Sequence, residues 1–331
     1  MLAVDNRAMT PPRQIHPGQL RFVTVRAVNR CHRFAPSRQA VEIIWYCLAY
    51  TLSEFRGRIE AHEFLWMSNH YHLVLTDRSG CLPDFMMQLN SLLARALNAL
   101  RGHTGTAIEK GYNSVEVTTE DKLIDHCVYT LANPCSAHLV KRSRHWKSVS
   151  SCEFGYGDAV TVRRPNCGLW GGACSHRARE ASQESKRSRH GGRSKLPPTV
   201  ELVLTRPSLM TSLSDDELRA DIRARLDDRE RELMGERRRR RSTVSGWRAA
   251  TRVSPRSAPR QTEDRVGTVP RFSGGTPEAL AAAWQRHRDF LASYYAAMRR
   301  FVKGERTAEF PVGTWLMKRR FGVAGCAVSA I

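Results

Sequence analysis

The chain has 331 residues, with 53 Lys+Arg against 32 Asp+Glu and a formal net charge of +21. Such a surface disfavours basic partners and attracts polyanions, of which nucleic acids and anionic membranes are the commonest. The length suits about two domains. No apolar run is long enough to cross a membrane, and the first twenty residues lack the apolar stretch of a signal peptide, so a cytoplasmic protein is expected.

Nine cysteines form no CxxC pair, which fits free thiols in a reducing compartment better than a disulfide framework. The charge is unevenly spread. Residues 1–150 hold 18 Lys+Arg and 12 Asp+Glu, a net of +6, so residues 151–331 hold the remaining 35 and 20, a net of +15.

After a leader at 1–17, residues 20–29 alternate apolar and polar side chains as a half-buried strand does. Ser37 opens a helix to about Leu52, with Val41, Ile44, Trp45 and Leu48 at helical spacing. Residues 59–67 and 70–77 form two strands joined at Ser68 and Asn69, a hairpin. Residues 85–100 make a second helix ending before Gly102, residues 113–117 a fourth strand, and Thr119 and Glu120 open a third helix stopped by Pro134. The order β-α-β-β-α-β plus a helix predicts an α+β, ferredoxin-like (split βαβ) domain over residues 18–150.

Residues 151–200 are expected to be a basic Gly/Ser-rich linker, with the densest stretch at 170–198. Residues 201–331 read as a mainly helical, partly disordered basic extension. Within it, Ser214 and Glu217 form a capping box before a charged helix that runs into the five arginines Arg237, Arg238, Arg239, Arg240 and Arg241. Residues 277–302 form a further helix whose aromatic stripe, including Trp284, Phe290 and Tyr294, reads as core.

Two groups of residues carry potential chemistry. His70 and His72, at i and i+2 of a strand, project from one face and could share a divalent ion, or could be ordinary polar residues of that face. Tyr129 and Asn133 share a helix face, although a core aromatic and a helix-terminal asparagine are the better explanation from these residues alone. The arginine run offers phosphate contacts or a solvated tract. Cys167, Cys174 and His176 match no zinc spacing.

WMSNHYHLVL (residues 66–75), followed some fifty residues later by YTLANP (residues 129–134), resembles the one-tyrosine HUH transposases, in particular the REP-associated tyrosine transposases. The resemblance covers roughly residues 18–150, and FPVGTWLMKRRFGV (residues 310–323) resembles an extension found on longer relatives. It implies an HUH catalytic domain in which His70 and His72 bind Mg²⁺ or Mn²⁺, Asn133 stands in the place of a third ligand, and Tyr129 is the nucleophile. It further implies cleavage and rejoining of single-stranded DNA bearing a hairpin, through a 5′-phosphotyrosine, with a homodimer as one possible assembly. No GxxxxGK[ST] motif is present, so no nucleotide cofactor is expected. The rival expectations are a domesticated, non-catalytic DNA-binding regulator and a metal-dependent nuclease that uses water. On this division of charge the extension supplies grip, and deleting residues 200–331 is expected to weaken binding more than it alters cleavage.

Overall fold

In a computed structural model, the chain is described over residues 12–170, 196–259 and 270–323. Strands β1 (Gln19–Arg26), β2 (Ile59–Trp66), β3 (His70–Asp77) and β4 (Asn113–Val117) form an antiparallel sheet in the order β2-β3-β1-β4. With helices α1 (Arg38–Glu54) and α2 (Leu82–Arg101) as crossovers, this is the split βαβ arrangement the sequence predicts. The fold class is α+β.

Local signals set the element ends. The Ser37 side chain accepts a hydrogen bond from the Ala40 amide and caps α1, and Gly102, with φ of +54°, closes α2 in the left-handed conformation that glycine adopts without strain. Alternation then sorts β3 into two faces. The Tyr71 hydroxyl donates to Asn90 of α2, so Tyr71, Leu73 and Leu75 point toward α1 and α2 over the main core. His70 and His72 point the other way, where helix α3 (Glu120–Ser136) packs.

Helix α3 continues through Pro134 to Ser136, past the residue at which the sequence suggests a stop. Proline removes one amide donor and crowds the carbonyl four residues back. The cost falls in the last turn, where Leu131 to Cys135 are all buried.

Residues expected to be linker are partly folded onto the domain. Strands β5 (Ala159–Arg163) and β6 (Thr199–Val203) pair antiparallel beside α1, and Phe154, Tyr156, Cys167 and Trp170 join the main core. The separation in sequence between β5 and β6 hid that pairing. Most of 170–198, with Cys174 and His176, lies outside the described residues.

Helix α4 (Asp215–Arg239) begins at the expected capping box and lies along α3, adding Leu218, Ile222 and Leu226 to the main core. Its neighbour α5 (Trp247–Arg252) is short. Strand β7 (Phe272–Ser273) adds to β4 in parallel, and helices α6 (Pro277–Val302) and α7 (Trp315–Phe321) complete the extension around Phe290, Tyr294, Phe301 and Phe310. Trp284, expected in the core, is 42% exposed and packs edge-on against Phe272 at the sheet margin. Among the described residues, no helix is long and apolar enough to cross a membrane, and seven cysteines are free.

Candidate functional site

The register of the two central strands builds the site. Thr24 of β1 faces His72 of β3, Arg26 faces His70, and on the other side Thr24 faces Asn113 of β4. Side chains at alternate positions share a face, so Phe22, Thr24 and Arg26 line one cleft with both histidines. Helix α3 covers that face, presenting Tyr129 and, one turn later, Asn133. The cleft has a volume of about 310 Å³.

The two imidazoles lie with ring centroids 4.9 Å apart. In each, an oxygen engages Nδ1: the Asn69 side-chain oxygen at 2.7 Å for His70, and the Thr24 hydroxyl at 2.9 Å for His72. Holding Nδ1 in this way fixes the ring's orientation and leaves Nε2 with the free lone pair. The Asn133 amide nitrogen donates to His72 Nε2 at 3.2 Å, and the same carboxamide contacts His70.

Burial determines the charge state. His70 is pushed down to about 4, chiefly by desolvation and further by the Arg26 cation. His72 is held well below the ordinary histidine range by burial, with His70 and Arg26 adding to the effect. Both rings are therefore neutral near pH 7, the state in which an imidazole can ligate a metal. His126, stacked on Phe22 with centroids 4.5 Å apart, is likewise lowered to about 4 by burial.

Those donors fit a divalent ion. Two oriented imidazoles offer Nε2, and Asn133 would offer its carbonyl oxygen after a half-turn of the amide, an exchange of nearly isosteric groups. Nitrogen and amide-oxygen donors suit a first-row metal such as Mn²⁺ and are compatible with Mg²⁺. Among the described residues there is no group of three or more His, Cys, Asp or Glu able to hold a metal.

Tyr129 is 53% exposed despite its size. Its ring meets His72 edge-on with centroids 5.5 Å apart and Phe22 at 5.8 Å. The phenol is half in solvent beside neutral, lone-pair-bearing imidazoles, and Arg26 lines the same wall.

The structure thus brings His70, His72, Tyr129 and Asn133 together within one chain, and leaves the arginine run outside the cleft. Arg237 is buried and donates to the Cys135 carbonyl at 3.0 Å, near the end of α3. Arg238 to Arg241 are exposed. Sequence reasoning missed Phe22, Thr24 and Arg26 as parts of the site, although their two-residue spacing on the first strand was the available signal.

The extension grips the back of this face. Arg219 of α4 pairs with Glu63 of β2, both buried, and the Ser151 hydroxyl also donates to Glu63. Glu230 accepts from the Ser143 amide at 2.6 Å and from Arg142 at 2.9 Å. Residues that carry Tyr129 and Asn133 are therefore packed between the sheet and α4.

No protein-family model matches the chain, and no curated protein matches it. Four chains among solved structures do. One is a REP-associated tyrosine transposase bound to a REP hairpin, at 14% identity and a TM-score of 0.38, with 43% of this chain and 82% of that one covered.

Proposed function

We propose that this chain is a transposase-type enzyme that cleaves and rejoins single-stranded DNA at a hairpin through a covalent bond to Tyr129. The observation that carries the reading is that an exposed phenol and two neutral oriented imidazoles share one cleft, with the Asn133 carboxamide in contact with those imidazoles.

In this reading the strand lies across the cleft with its scissile phosphate between Tyr129 and the His70/His72 pair. His70, His72 and Asn133 would hold a divalent ion, which would supply Lewis-acid polarisation of the phosphate. Arg26 offsets part of the phosphate's charge. The Tyr129 oxygen bonds to phosphorus as the bond to the 3′-oxygen breaks, giving a 5′-phosphotyrosine and a free 3′-hydroxyl. The phenol proton leaves to solvent through the exposed side of the ring, and the departing 3′-oxygen takes up a proton. Attack by another 3′-hydroxyl reverses the step and rejoins DNA without ATP, because the phosphodiester energy stays in the covalent link.

Incubation with a labelled hairpin oligonucleotide and Mn²⁺, followed by denaturing electrophoresis, tests it. The expected result is a slow-migrating adduct with wild type and none with Tyr129→Phe. Cleavage that persists in Tyr129→Phe would assign the site to a water-using nuclease, and hairpin binding without cleavage or adduct would assign it to a non-catalytic regulator.

A further inference from the structure

Two cavities adjoin on the opposite side of the sheet, where the extension meets β4 and α2. The smaller, about 210 Å³, is lined by Arg13, Arg21 and Arg271, and Glu116 is its one acidic wall residue. The larger, about 710 Å³, is mainly apolar and has Tyr294, Tyr295, Met86, Met298 and Trp315 among its walls. Arg13, Ile15 and Tyr112 belong to both, and the Arg13 guanidinium lies 3.9 Å above the Tyr112 ring.

The smaller cavity has more positive charge than it neutralises. Glu116 lies 3.5 Å from Arg21 and 3.2 Å from Arg286, while Arg271 has no ion-pair partner among the described residues. Burial and Arg13 together lower the Arg271 guanidinium, as expected of cations crowded without enough counter-charge. Arg21 is 7% exposed, and its Nε is a buried donor with no partner. Buried donors of this kind call for an acceptor.

The larger cavity has an exposed apolar rim, with Met87 at 50% and Leu316 at 47% exposure. Flat aromatic walls of this kind stack on nucleobases with little regard to sequence. Asn113 lines both the arginine cavity and the His70/His72 cleft, and it lies at the end of β4 that β7 does not pair with, so the two openings adjoin there.

We propose that the two cavities form one nucleotide site outside the cleft, which takes a single unstacked nucleotide of the bound DNA strand. Its phosphate sits among Arg13, Arg21 and Arg271, and its base lies in the aromatic cavity against Tyr295. The DNA source rests on the function proposed above, whereas the pairing of base and phosphate chemistry does not.

Fluorescence polarisation with a labelled hairpin oligonucleotide bearing single-stranded tails, scanned with one abasic position at a time, tests the site. Tyr295→Ala should weaken binding about tenfold, and Tyr295→Phe should not. One abasic position should reproduce that loss in wild type and add nothing in Tyr295→Ala. The double variant Arg13→Gln/Arg271→Gln should weaken binding and lower the salt slope by roughly 0.7, the contribution of one single-strand phosphate. Full additivity of Tyr295→Ala with every abasic position would overturn the site. Saturable binding of free deoxyadenosine monophosphate that the oligonucleotide does not displace would overturn the strand as its source, and self-association lost in Tyr295→Ala would assign the cavity to a second copy of the chain. Adduct formation at Tyr129 without the coupling would refute this site alone; the coupling without an adduct would support it and refute cleavage.

Discussion

The His70/His72 face of the sheet and the seam where α4 meets it both bury titratable side chains, but they use burial in opposite ways. At the cleft, burial strips the imidazoles of charge and leaves their lone pairs available. At the seam, burial pushes the Glu63 carboxyl up while the paired Arg219 guanidinium opposes that shift, and Glu230 is ion-paired with Arg142. On the proposed function, one environment prepares chemistry, and the other holds α4 against the sheet.

The sharpest way to break that comparison is to remove one group from each side. His72→Ala should slow adduct formation by about 10²-fold or more and leave a cooperative melting transition, since His72 lines a cleft. Arg219→Ala should destabilise the fold by about 3 to 5 kcal/mol, because it leaves Glu63 buried without its partner. Chemical denaturation measures that loss. A small loss for Arg219→Ala would mean that the seam is not held by its charges.

Next in size is the response to acid. His62, fully buried, donates from Nδ1 to the Thr205 carbonyl at 2.6 Å and accepts at Nε2 from the Thr76 hydroxyl at 2.7 Å, and burial lowers it to about 4. Its folded value lies below the unfolded 6.5, so the unfolded chain takes up the proton first. Stability should fall as the pH drops from about 6.5 toward 4, by roughly 3 kcal/mol from this residue alone, and level off below. Melting curves across that range for wild type and His62→Gln would measure the share.

The seam also revises the expected division of labour. Arg237 and Arg219 are structural, and α4 packs on α3, so deleting residues 200–331 should strip cover from the helix that carries Tyr129 as well as weaken binding. Only Arg238 to Arg241 remain as exposed members of the run. Changing those four to Gln should leave melting unchanged and weaken DNA binding at low salt, with the salt slope falling by at most about 0.7 for each phosphate that is no longer neutralised. The smallest effect belongs to Ser214→Ala, which removes the capping box of α4 and should cost about 1 kcal/mol.

Local patterns in the chain foretold local structure. The strand carrying His70 and His72, the Ser37 and Ser214 caps, and the helix that aligns Tyr129 with Asn133 depend on residues within a turn or a strand of one another. What pattern could not reveal depends on distance in sequence. Glu63 and Arg219 are 156 residues apart, and the β5–β6 pairing and the nucleotide-sized cavities likewise join segments that meet only when folded. Thr24 and Arg26 lay in between: their face was legible, but their facing partners were set by the register of β1 against β3.

The central claim is that Tyr129 takes the strand in a cleft prepared by buried, neutral histidines. Mass spectrometry of the protease-digested product of a hairpin reaction tests it most directly. The account predicts a peptide carrying the 5′-phosphorylated DNA remnant on Tyr129, together with a released strand ending in a 3′-hydroxyl. A remnant on any other residue, or a cleaved strand ending in a 3′-phosphate, would contradict it.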